Sequence, residues 1–367
     1  MRIGVMLRHL GEPGGIGIYT LNMLDALFEL DRENRYTLLY KSADRVGRFA
    51  GIPNVTEKVL PASNKLWWDQ ITVPRFARAE GLDLIFNPKL SVPLFTGSKT
   101  VLVMHGAEQF AAPWAFDWHD RAYFKLANRL YCKKASAVVS MTHNGAKDIA
   151  NYMGAAPEKI HVIHESYNER CRVVETHELL AVKEKYSLPD KFVLFVGGIH
   201  PLKNFSNLLR AYDRIRNSFP HKLVAVGFKR RRYSQDFELV DKLGLRDHVA
   251  FPGYVDDEEI PAFYNLADLF VLPSFYEGFG IPVLEAMASG CPVITTTTGC
   301  SPEVAGGAAI LVDPYNPDEI AEAMSKVLLE DRLRQELIEK GLQRAKQFSW
   351  EKCARETLDV LESAARD

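Results

Sequence analysis

The stretch from Leu269 to Ile294, LFVLPSFYEGFGIPVLEAMASGCPVI, decides the fold of this 367-residue chain. The apolar run Leu269–Leu272 leads into a loop with two glycines and a helical pattern, and a second apolar run begins at Val293. Short buried runs that alternate with amphipathic helices are typical of parallel βαβ units. Pro282 suits the first turn of the helix, where its missing N–H costs no hydrogen bond. The stretch therefore predicts one strand–loop–helix–strand unit of an α/β fold.

The same alternation fills both halves of the chain, and in each half an early apolar run leads into a glycine loop. The two loops are Gly14–Gly17 and Gly197–Asn204. The other strand-like runs are Ile3–Leu7, Tyr36–Tyr40, Leu82–Phe86, Thr100–Met104, Ala137–Ser140, Phe192–Val196, Leu223–Val226, Val249–Phe251 and Ala309–Val312. We predict two Rossmann-like, doubly wound parallel-sheet domains that face each other across a cleft.

The domain boundaries follow from the polar segment Glu175–Asp190, which is the best candidate for a linker. We expect a first domain over residues 1–175 and a second over residues 185–348. Helical sequence ends the chain, and Ser349 is placed as the N-cap of the last helix. That helix, residues 350–367, is expected to pack back on the first domain.

Charge and cysteine content exclude several classes of protein. The 45 Lys and Arg residues nearly balance 47 Asp and Glu residues, whereas a dedicated nucleic-acid binder is strongly basic. Five cysteines without a C-x-x-C pair predict neither a disulfide framework nor a cysteine-rich zinc site. No signal-peptide pattern opens the chain and no uncharged apolar run approaches the ~20 residues that cross a bilayer. We therefore expect a cytoplasmic protein.

Ligands of open α/β sheets bind beyond the carboxyl ends of the strands, so the glycine loops are candidate anion sites. Gly14, Gly15 and Gly17 would let backbone N–H groups approach an anion closely, although a tight turn explains them equally well. Lys203 lies just before a helix, where its ammonium can reach a phosphate. The alternative for Lys203 is a solvated lysine at a helix start.

Two glutamates flank the helix entrance in the stretch that opens the analysis. Glu277 lies in the loop and Glu285 about one turn into the helix, so the two carboxylates can bracket one ligand. Carboxylates accept hydrogen bonds from vicinal hydroxyls, as on a sugar ring or a ribose. The backbone amides of Phe279, Gly280 and Ile281 would point at the same ligand. Alternatively, Glu285 compensates the helix dipole and Glu277 is a solvated loop acid.

The E-x7-E pair of Glu277 and Glu285 resembles the marker of the retaining, nucleotide-sugar-dependent glycosyltransferases of family 4. The segments EGFGIPVLEAMASGCPVI at 277–294, VGGIHPLKN at 196–204, FPGYV at 251–255 and PEVAGGAA at 302–309 carry the resemblance. It implies a GT-B fold and the transfer of a hexose from GDP-mannose or a UDP-hexose to a glycan or lipid-linked acceptor. The form of the 196–204 segment is similar to the branch of polysaccharide mannosyltransferases.

The resemblance also implies roles for single residues. Lys203 would bind the donor diphosphate, Glu277 the hydroxyls of the donor sugar and Glu285 the ribose. His105 matches a histidine beside the sugar, or else is a satisfied histidine at a strand end. We therefore name His105, Lys203 and Glu277 as catalytic candidates. The implied donor contacts are Gly14, Gly15, Gly17, Gly198, Tyr254, Val255, Phe279, Gly280, Ile281 and Glu285.

Three departures from the family pattern stand out. No arginine accompanies the lysine, because Gly198 and Leu202 occupy its usual positions, and Lys229 or Arg230 would have to replace it. Gly106 stands where the family often has an acid after the histidine, with Glu108 as a substitute. The segment VIHES at 162–166 replaces the usual Asn-Gly.

The expected mechanism uses neither a metal ion nor a cofactor. No two aspartates lie two positions apart, so the Asp-x-Asp pair of metal-dependent transferases is missing. Helix N-termini and Lys203 would neutralise the departing diphosphate instead. We favour front-face attack with retention of configuration, in which the leaving phosphate oxygen helps accept the acceptor's proton. The alternatives are a catalytically silent nucleotide-sugar-binding protein and a GT-B sugar-nucleotide epimerase.

The segment 121–134, RAYFKLANRLYCKK, mixes basic and aromatic residues at helical spacing. Such a helix could lie on an anionic leaflet and meet a lipid-linked acceptor, with Trp67, Trp68, Trp114 and Trp118 nearby in sequence. The alternative is an amphipathic helix packed on the core.

Overall fold

The computed structural model describes residues 1–10, 14–227, 234–253 and 255–366. The chain divides into two compact units. Unit 1 consists of Met1–Ser166 and the segment from Ser349 onward, and unit 2 of Tyr167–Phe348. The polar segment around 175–190, which we expected to be a linker, lies inside unit 2, where Thr176–Lys185 form a helix.

Unit 1 is built on a parallel sheet with seven strands among the residues described. The strands are β1 (Arg2–Met6), β2 (Arg35–Tyr40), β3 (Val55–Val59), β4 (Leu84–Asn87), β5 (Lys99–Met104), β6 (Ala137–Ser140) and β7 (Ile160–Val162). Their order is β3-β2-β1-β4-β5-β6-β7, and every pair is parallel. All residues of β4 and β6 are buried, as expected for a parallel sheet covered on both faces.

Unit 2 repeats this plan with six strands in its described portion. They are β8 (Phe192–Val196), β9 (Lys222–Val226), β10 (Val249–Gly253), β11 (Leu269–Val271), β12 (Val293–Thr296) and β13 (Ile310–Val312). Their order is β10-β9-β8-β11-β12-β13, again parallel throughout. The predicted pair of doubly wound parallel sheets is therefore confirmed.

Helices connect the strands in both units. Those of unit 1 are α1 (Gly15–Leu30), α2 (Lys65–Trp67), α3 (Val73–Glu80), α4 (Glu108–Ala111), α5 (Trp118–Lys134) and α6 (His143–Asp148). Those of unit 2 are α7 (Thr176–Lys185), α8 (Phe205–Ile215), α9 (Ser234–Lys242), α10 (Ile260–Leu266), α11 (Ile281–Ala288), α12 (Ser301–Ala305), α13 (Pro317–Leu329) and α14 (Asp331–Ala345). No helix in the described part of the chain combines the length and apolarity needed to cross a membrane.

The final helix, α15 (Trp350–Arg366), returns to unit 1 and packs on α1. The ring of Trp350 meets that of Tyr19 edge-on, with 6.1 Å between the ring centroids. Ser349 caps the helix as predicted, because its hydroxyl accepts a hydrogen bond from the Lys352 amide at 3.1 Å.

The strand order reverses direction at one point in each sheet, between β1 and β4 in unit 1 and between β8 and β11 in unit 2. Neighbouring connections leave such a point in opposite directions, and the crevice that results is where doubly wound sheets bind ligands. The loops after β8 and β11 are Gly197–Asn204 and Leu272–Gly280, so the motifs of unit 2 lie at its switch point.

Candidate functional site

Lys203 and Glu277, two of the predicted catalytic residues, form an ion pair at the switch point of unit 2. The Lys203 ammonium donates to both carboxylate oxygens of Glu277, at 2.6 and 2.9 Å. The Ser274 hydroxyl also donates to Oε1 of Glu277, at 2.6 Å. The Lys203 side chain is 25% exposed and that of Glu277 is 10% exposed. The pair is therefore largely shielded from bulk water, and the Lys203 side chain stays partly accessible.

Asn204 joins the two loops that carry this pair. Its backbone adopts a left-handed conformation, with φ 56°, and its side chain is buried. The side-chain amide donates to the carbonyl oxygens of Pro273 at 2.9 Å and Pro314 at 2.6 Å. The Phe275 amide donates to the Leu202 carbonyl at 2.8 Å, which adds a direct backbone link. These bonds hold the residue before Asn204, which is Lys203, against the Glu277 loop.

Glycines allow the loop after β8 to approach the end of β9. Gly227 has φ 147°, and a Cβ there would lie 2.0 Å from the Gly197 carbonyl oxygen. The Gly197 amide donates to the Val226 carbonyl at 2.9 Å, so the contact is a continuation of the sheet. A side chain at Gly227 would therefore push the 197–203 loop, including the partly buried Gly198, out of position.

Glu285 lies within α11 and is almost fully buried, at 8% exposure. The Tyr264 hydroxyl donates to its Oε2 at 3.0 Å. Burial raises the pKa of Glu285 to about 7, while the bonds from Tyr264 and from the Asn168 backbone oppose that rise. A buried acceptor with this pKa suits hydroxyl recognition. Glu285 also lies beyond the first turn of α11, where compensation of the helix dipole is weak.

The entrance of α11 presents backbone rather than side chains. Gly280 is its N-cap with φ 93°, and Pro282 occupies the first turn as predicted. Phe279 is 3% exposed; its ring packs on Phe348 and its carbonyl accepts from the Cys300 thiol at 3.0 Å. Since the Ile281 side chain is buried too, residues 279–281 can offer a ligand only their main chain and the helix dipole.

His105 lies beyond the end of β5 in unit 1. Its Nε2 is 2.8 Å from the Pro88 carbonyl oxygen, which can only accept, so Nε2 carries the hydrogen and Nδ1 has the lone pair. Burial lowers the pKa of His105 to about 4, so the ring is neutral at physiological pH. Its edge meets the ring of Tyr19, with centroids 4.9 Å apart.

Comparison with known proteins identifies the family to which the two halves of the chain are similar. Residues 13–168 match the family described as Glycosyltransferase Family 4, and residues 179–344 match the family described as Glycosyl transferases group 1. A D-inositol 3-phosphate glycosyltransferase of Salinispora tropica is 31% identical over 97% of this chain and 82% of its own length.

The chain belongs to glycosyltransferase family 4. The O-antigen chain mannosyltransferase B of Escherichia coli is 37% identical over 50% of this chain and 49% of its own length. The chain thus spans about half the length of that relative. A structure of Alr3699/HepE from Anabaena, in complex with UDP and glucose, superposes with a TM-score of 0.79 at 19% identity, and covers 99% of this chain and 100% of its own. This likeness confirms the expected GT-B fold.

The other predicted contacts have different positions. Gly14 is the N-cap of α1 with φ 127°, and Gly15 and Gly17 belong to the first turn of that helix, which therefore begins inside the predicted Gly14–Gly17 loop. Val255 is buried after β10. Tyr254, Lys229 and Arg230 lie outside the described residues. Unit 2 thus brings together Lys203, Glu277, Gly198 and the entrance of α11, whereas His105 and Gly14–Gly17 belong to unit 1.

A second histidine, His9, lies near His105 and was not predicted from the sequence. His9 is 2% exposed, and its Nε2 lies 2.9 Å from the Thr20 hydroxyl, whose own hydrogen goes to the Ile16 carbonyl. His9 Nε2 is therefore the donor in that bond. Burial, with smaller contributions from Lys89, His105 and Arg8, lowers the pKa of His9 to about 3. No motif marks His9, because its partner is set by the packing of α1.

The loop after β4 was also missed. Leu90 has φ 39°, an unfavourable conformation for a leucine. The side-chain Nδ2 of Asn87 donates to the Ser91 carbonyl at 2.6 Å, and its Oδ1 accepts from the backbone N–H of Lys89 at 3.0 Å. These two bonds hold the turn. Because the same loop provides the Pro88 carbonyl for His105, this strained turn sets the orientation of the imidazole. The Asn-Pro dipeptide at 87–88 was the available turn signal.

Acidic side chains occur at three further places in unit 1. Glu108 opens α4 and accepts from the Gln109 side chain at 3.3 Å. Glu165, within the unusual 162–166 segment, is 5% exposed, and burial raises its pKa to about 8. Among the described residues, the side chains grouped closely enough to hold a metal ion are Asp117, His119 and Asp120 at the start of α5.

Proposed function

We propose that the chain is a retaining hexosyltransferase that moves a sugar from a nucleotide-diphosphate donor to a glycan or lipid-linked acceptor. The observation that carries this proposal is the placement of Lys203, Glu277 and the α11 entrance at the switch point of unit 2. Membership of the family supports a glycosyltransferase activity. So does the name of the Salinispora tropica relative, a glycosyltransferase of which 82% is covered.

The ion pair indicates how the donor diphosphate would be received. A phosphate oxygen competes with Glu277 for the Lys203 ammonium, because both are anionic acceptors. When Lys203 turns to the phosphate, Glu277 is left to accept hydroxyls of the donor sugar. The α11 N-terminus adds partial positive charge for the same group. Growing charge on the departing diphosphate would thus be stabilised by groups that are already in place.

Glu285 would hold the ribose of the donor. Its burial favours the neutral acid, while Tyr264 and the Asn168 backbone favour the carboxylate that accepts two hydroxyls. Gly198, Val255 and the main chain of Phe279, Gly280 and Ile281 would complete the donor contacts. Gly14, Gly15 and Gly17 would supply backbone donors from unit 1.

Front-face attack remains our mechanistic proposal. Glu277 is poorly suited to act as a nucleophile, because Ser274 donates to its Oε1 and hydroxyls of the donor sugar would take the place of Lys203 at the carboxylate. The neutral ring of His105, with a lone pair on Nδ1, can accept a hydroxyl hydrogen near the sugar. The leaving phosphate oxygen would take the acceptor's proton, so that no metal ion or cofactor is required by this scheme.

GDP-mannose is the first donor to test and a UDP-hexose the second. The E. coli relatives are named mannosyltransferases, whereas the Anabaena structures hold UDP or UDP-glucose. A lipid-linked acceptor would be met at the cytoplasmic face of a membrane. Polysaccharide synthesis is the corresponding process, as the name of the O-antigen relative indicates.

The test is incubation with isotope-labelled GDP-mannose and UDP-glucose, with and without candidate acceptors. We expect one labelled sugar to appear on an acceptor with its anomeric configuration retained, with and without EDTA. An isomerised donor formed without acceptor would show an epimerase, and tight binding without nucleotide release would show a silent binder. A covalent sugar adduct on Glu277 would overturn front-face attack.

A further inference from the structure

Helix α5 of unit 1 carries two adjacent rows of exposed side chains. Residues four apart lie on one side of a helix. One row is apolar and consists of Trp118, Ala122, Leu126 and Leu130. The neighbouring row is entirely basic and consists of Arg121, Lys125, Arg129 and Lys133. The opposite side of the helix is buried through Ala127, Asn128, Tyr131 and Cys132, so the two rows face outward.

The apolar side chains in these rows are too exposed to be part of the core. Trp118 is 78% exposed and Leu126 is 66% exposed, and Leu130 is also exposed. The amphipathic pattern of this helix is therefore only partly explained by packing. Its inner side is the core-packed surface, and a second apolar surface lies on the outside.

Hydrogen bonds connect this helix to further exposed aromatic residues. The Lys134 ammonium donates to the Thr96 carbonyl at 3.0 Å, which fixes the end of α5 beside Phe95, a residue 86% exposed. The Leu94 amide donates to the Gln70 side chain at 2.8 Å, and Gln70 donates to the Val92 carbonyl at 3.0 Å. Gln70 is one helical turn after Trp67, which is 52% exposed.

We define the apolar–basic face as the outward side of α5 together with Phe95 and Trp67. Within α5, five basic residues stand against one acidic residue, Asp120, although the whole chain has a net charge of −2. A partner of this face must therefore accept large apolar side chains and carry negative charge. Acidic headgroups above a hydrocarbon interior meet both needs, with lysine and arginine stems lying along the boundary.

We propose that the apolar–basic face docks unit 1 onto the surface of an anionic lipid bilayer. The inference rests on the proposed function only in its purpose, which is to reach a lipid-linked acceptor. Phe95, Trp118, Leu126 and Leu130 would enter the headgroup boundary, and the basic row would lie at the phosphate level. Docking needs neither donor nor catalysis, so it can fail or succeed independently of the transferase activity.

The test is co-sedimentation of the full chain with vesicles of phosphatidylcholine alone or with one third phosphatidylglycerol. We expect binding to the anionic vesicles at low salt, weaker binding at high salt and little binding to the neutral ones. Arg121→Glu with Lys125→Glu should weaken binding by about 25-fold or more, since each basic residue contributes on the order of fivefold. Leu126→Gln should weaken binding by about tenfold.

The matched control is Leu329→Gln, because Leu329 of unit 2 is 71% exposed, much like Leu126. It should bind vesicles as the parent protein does. Thermal unfolding followed by circular dichroism should show every variant folded, and nucleotide binding should be unchanged in all of them.

Three outcomes would overturn the proposal. The first is that the parent protein does not sediment with anionic vesicles at low salt, and the second is that it binds neutral vesicles equally well. The third is that Leu329→Gln weakens vesicle binding as much as Leu126→Gln does. A dimer that Leu126→Gln converts to a monomer would identify a second copy as the partner instead. A parent protein that binds anionic vesicles but transfers no sugar would support the docking proposal and count against the proposed function.

Discussion

The loops after β1 and after β8 occupy the same place in their sheets but have different chemistry. Each strand is the third in its sheet and borders the switch point. In unit 2 the loop ends in Lys203, paired with Glu277 and joined to the next loop by Asn204. In unit 1 the corresponding edge carries His9 and His105, whose pKa values are both lowered by burial. One topology thus provides a shielded ion pair in unit 2 and an edge of neutral imidazoles in unit 1.

Each unit has a buried glutamate with a raised pKa, Glu165 in unit 1 and Glu285 in unit 2. Comparing them gives the largest expected effect, which is on the free energy of unfolding. An acid whose pKa is raised on folding loses stability as pH rises from its unfolded value, near 4.5, to its folded value. For Glu165, with a pKa of about 8, this loss is roughly 4 kcal/mol between pH 5 and pH 9. The variant Glu165→Gln should not show this loss of stability between pH 5 and pH 9.

Tryptophan fluorescence during denaturant unfolding measures this effect, because all five tryptophans belong to unit 1. Glu285→Gln is the matched variant in unit 2 and should leave the tryptophan signal of unit 1 unchanged at every pH. A parent protein whose unit 1 is equally stable at pH 5 and pH 9 would contradict the assignment of a raised pKa to Glu165.

Lys203→Ala should have the largest effect on turnover. Removing one preorganised donor to a leaving group typically costs ~3–4 kcal/mol of transition-state stabilisation, so kcat/KM should fall by about 10²–10³-fold. Steady-state kinetics with the preferred donor measure the fall. Lys185→Ala is the matched control, because Lys185 also pairs with both oxygens of a glutamate, Glu259, but on an exposed surface. Equal losses in the two variants would show that Lys203 acts only through its ion pair.

Asn204→Gly tests whether the two donor loops must be joined. Glycine tolerates φ 56°, so the variant removes the bonds to Pro273 and Pro314 without adding strain. We expect a loss of about 1–3 kcal/mol in unfolding free energy and a raised donor KM. Asn207→Ala, which removes a separate bond to the Pro314 carbonyl, should leave KM unchanged. A normal donor KM in Asn204→Gly would mean that the Lys203 loop needs no support from the Pro273 loop.

Tyr264→Phe should have the smallest effect, and one that depends on pH. Without the hydroxyl, the pKa of Glu285 rises above its value of about 7, so donor affinity at pH 7 should fall by about tenfold and recover towards pH 9. Titrations across pH measure this, and His105 does not interfere because its pKa is about 4. Tyr212→Phe, which removes a buried hydroxyl bonded to the His221 carbonyl, is the control. An affinity loss that is the same at every pH would point to packing alone.

The loop and helix that carry Glu277 and Glu285 were predictable because the signals for them are local in the sequence. The stretch 277–294 contains both glutamates, the N-cap glycine and the proline of α11, so spacing alone placed them on one loop and helix. The contacts that orient them are distant in sequence: Asn204 reaches Pro314, 110 positions away, and Tyr264 is 21 positions from Glu285. No sequence pattern predicts such contacts, which is why Asn204 and Tyr264 were missed.

Unit 1 was predictable in topology but not in its chemistry. Strand β3 was missed because its sequence VTEKV is charged and mostly exposed at the sheet edge, and β7 because it has only three residues. Burial of His9 and Glu165 is likewise invisible in sequence. His9 contacts Thr20 of α1, and Glu165 lies near Tyr19 of α1 and Cys353 of α15, two helices from opposite ends of the chain. For Trp118 and Leu126, helical spacing predicted the amphipathic pattern, whereas the structure was needed to show their exposure.

The most direct test of the donor site is a crystal structure of the chain with a bound nucleoside diphosphate. We predict that the Lys203 ammonium leaves Glu277 and lies about 3 Å from a phosphate oxygen, with Glu285 accepting the ribose hydroxyls. A nucleotide bound elsewhere, with the ion pair between Lys203 and Glu277 intact, would contradict this account.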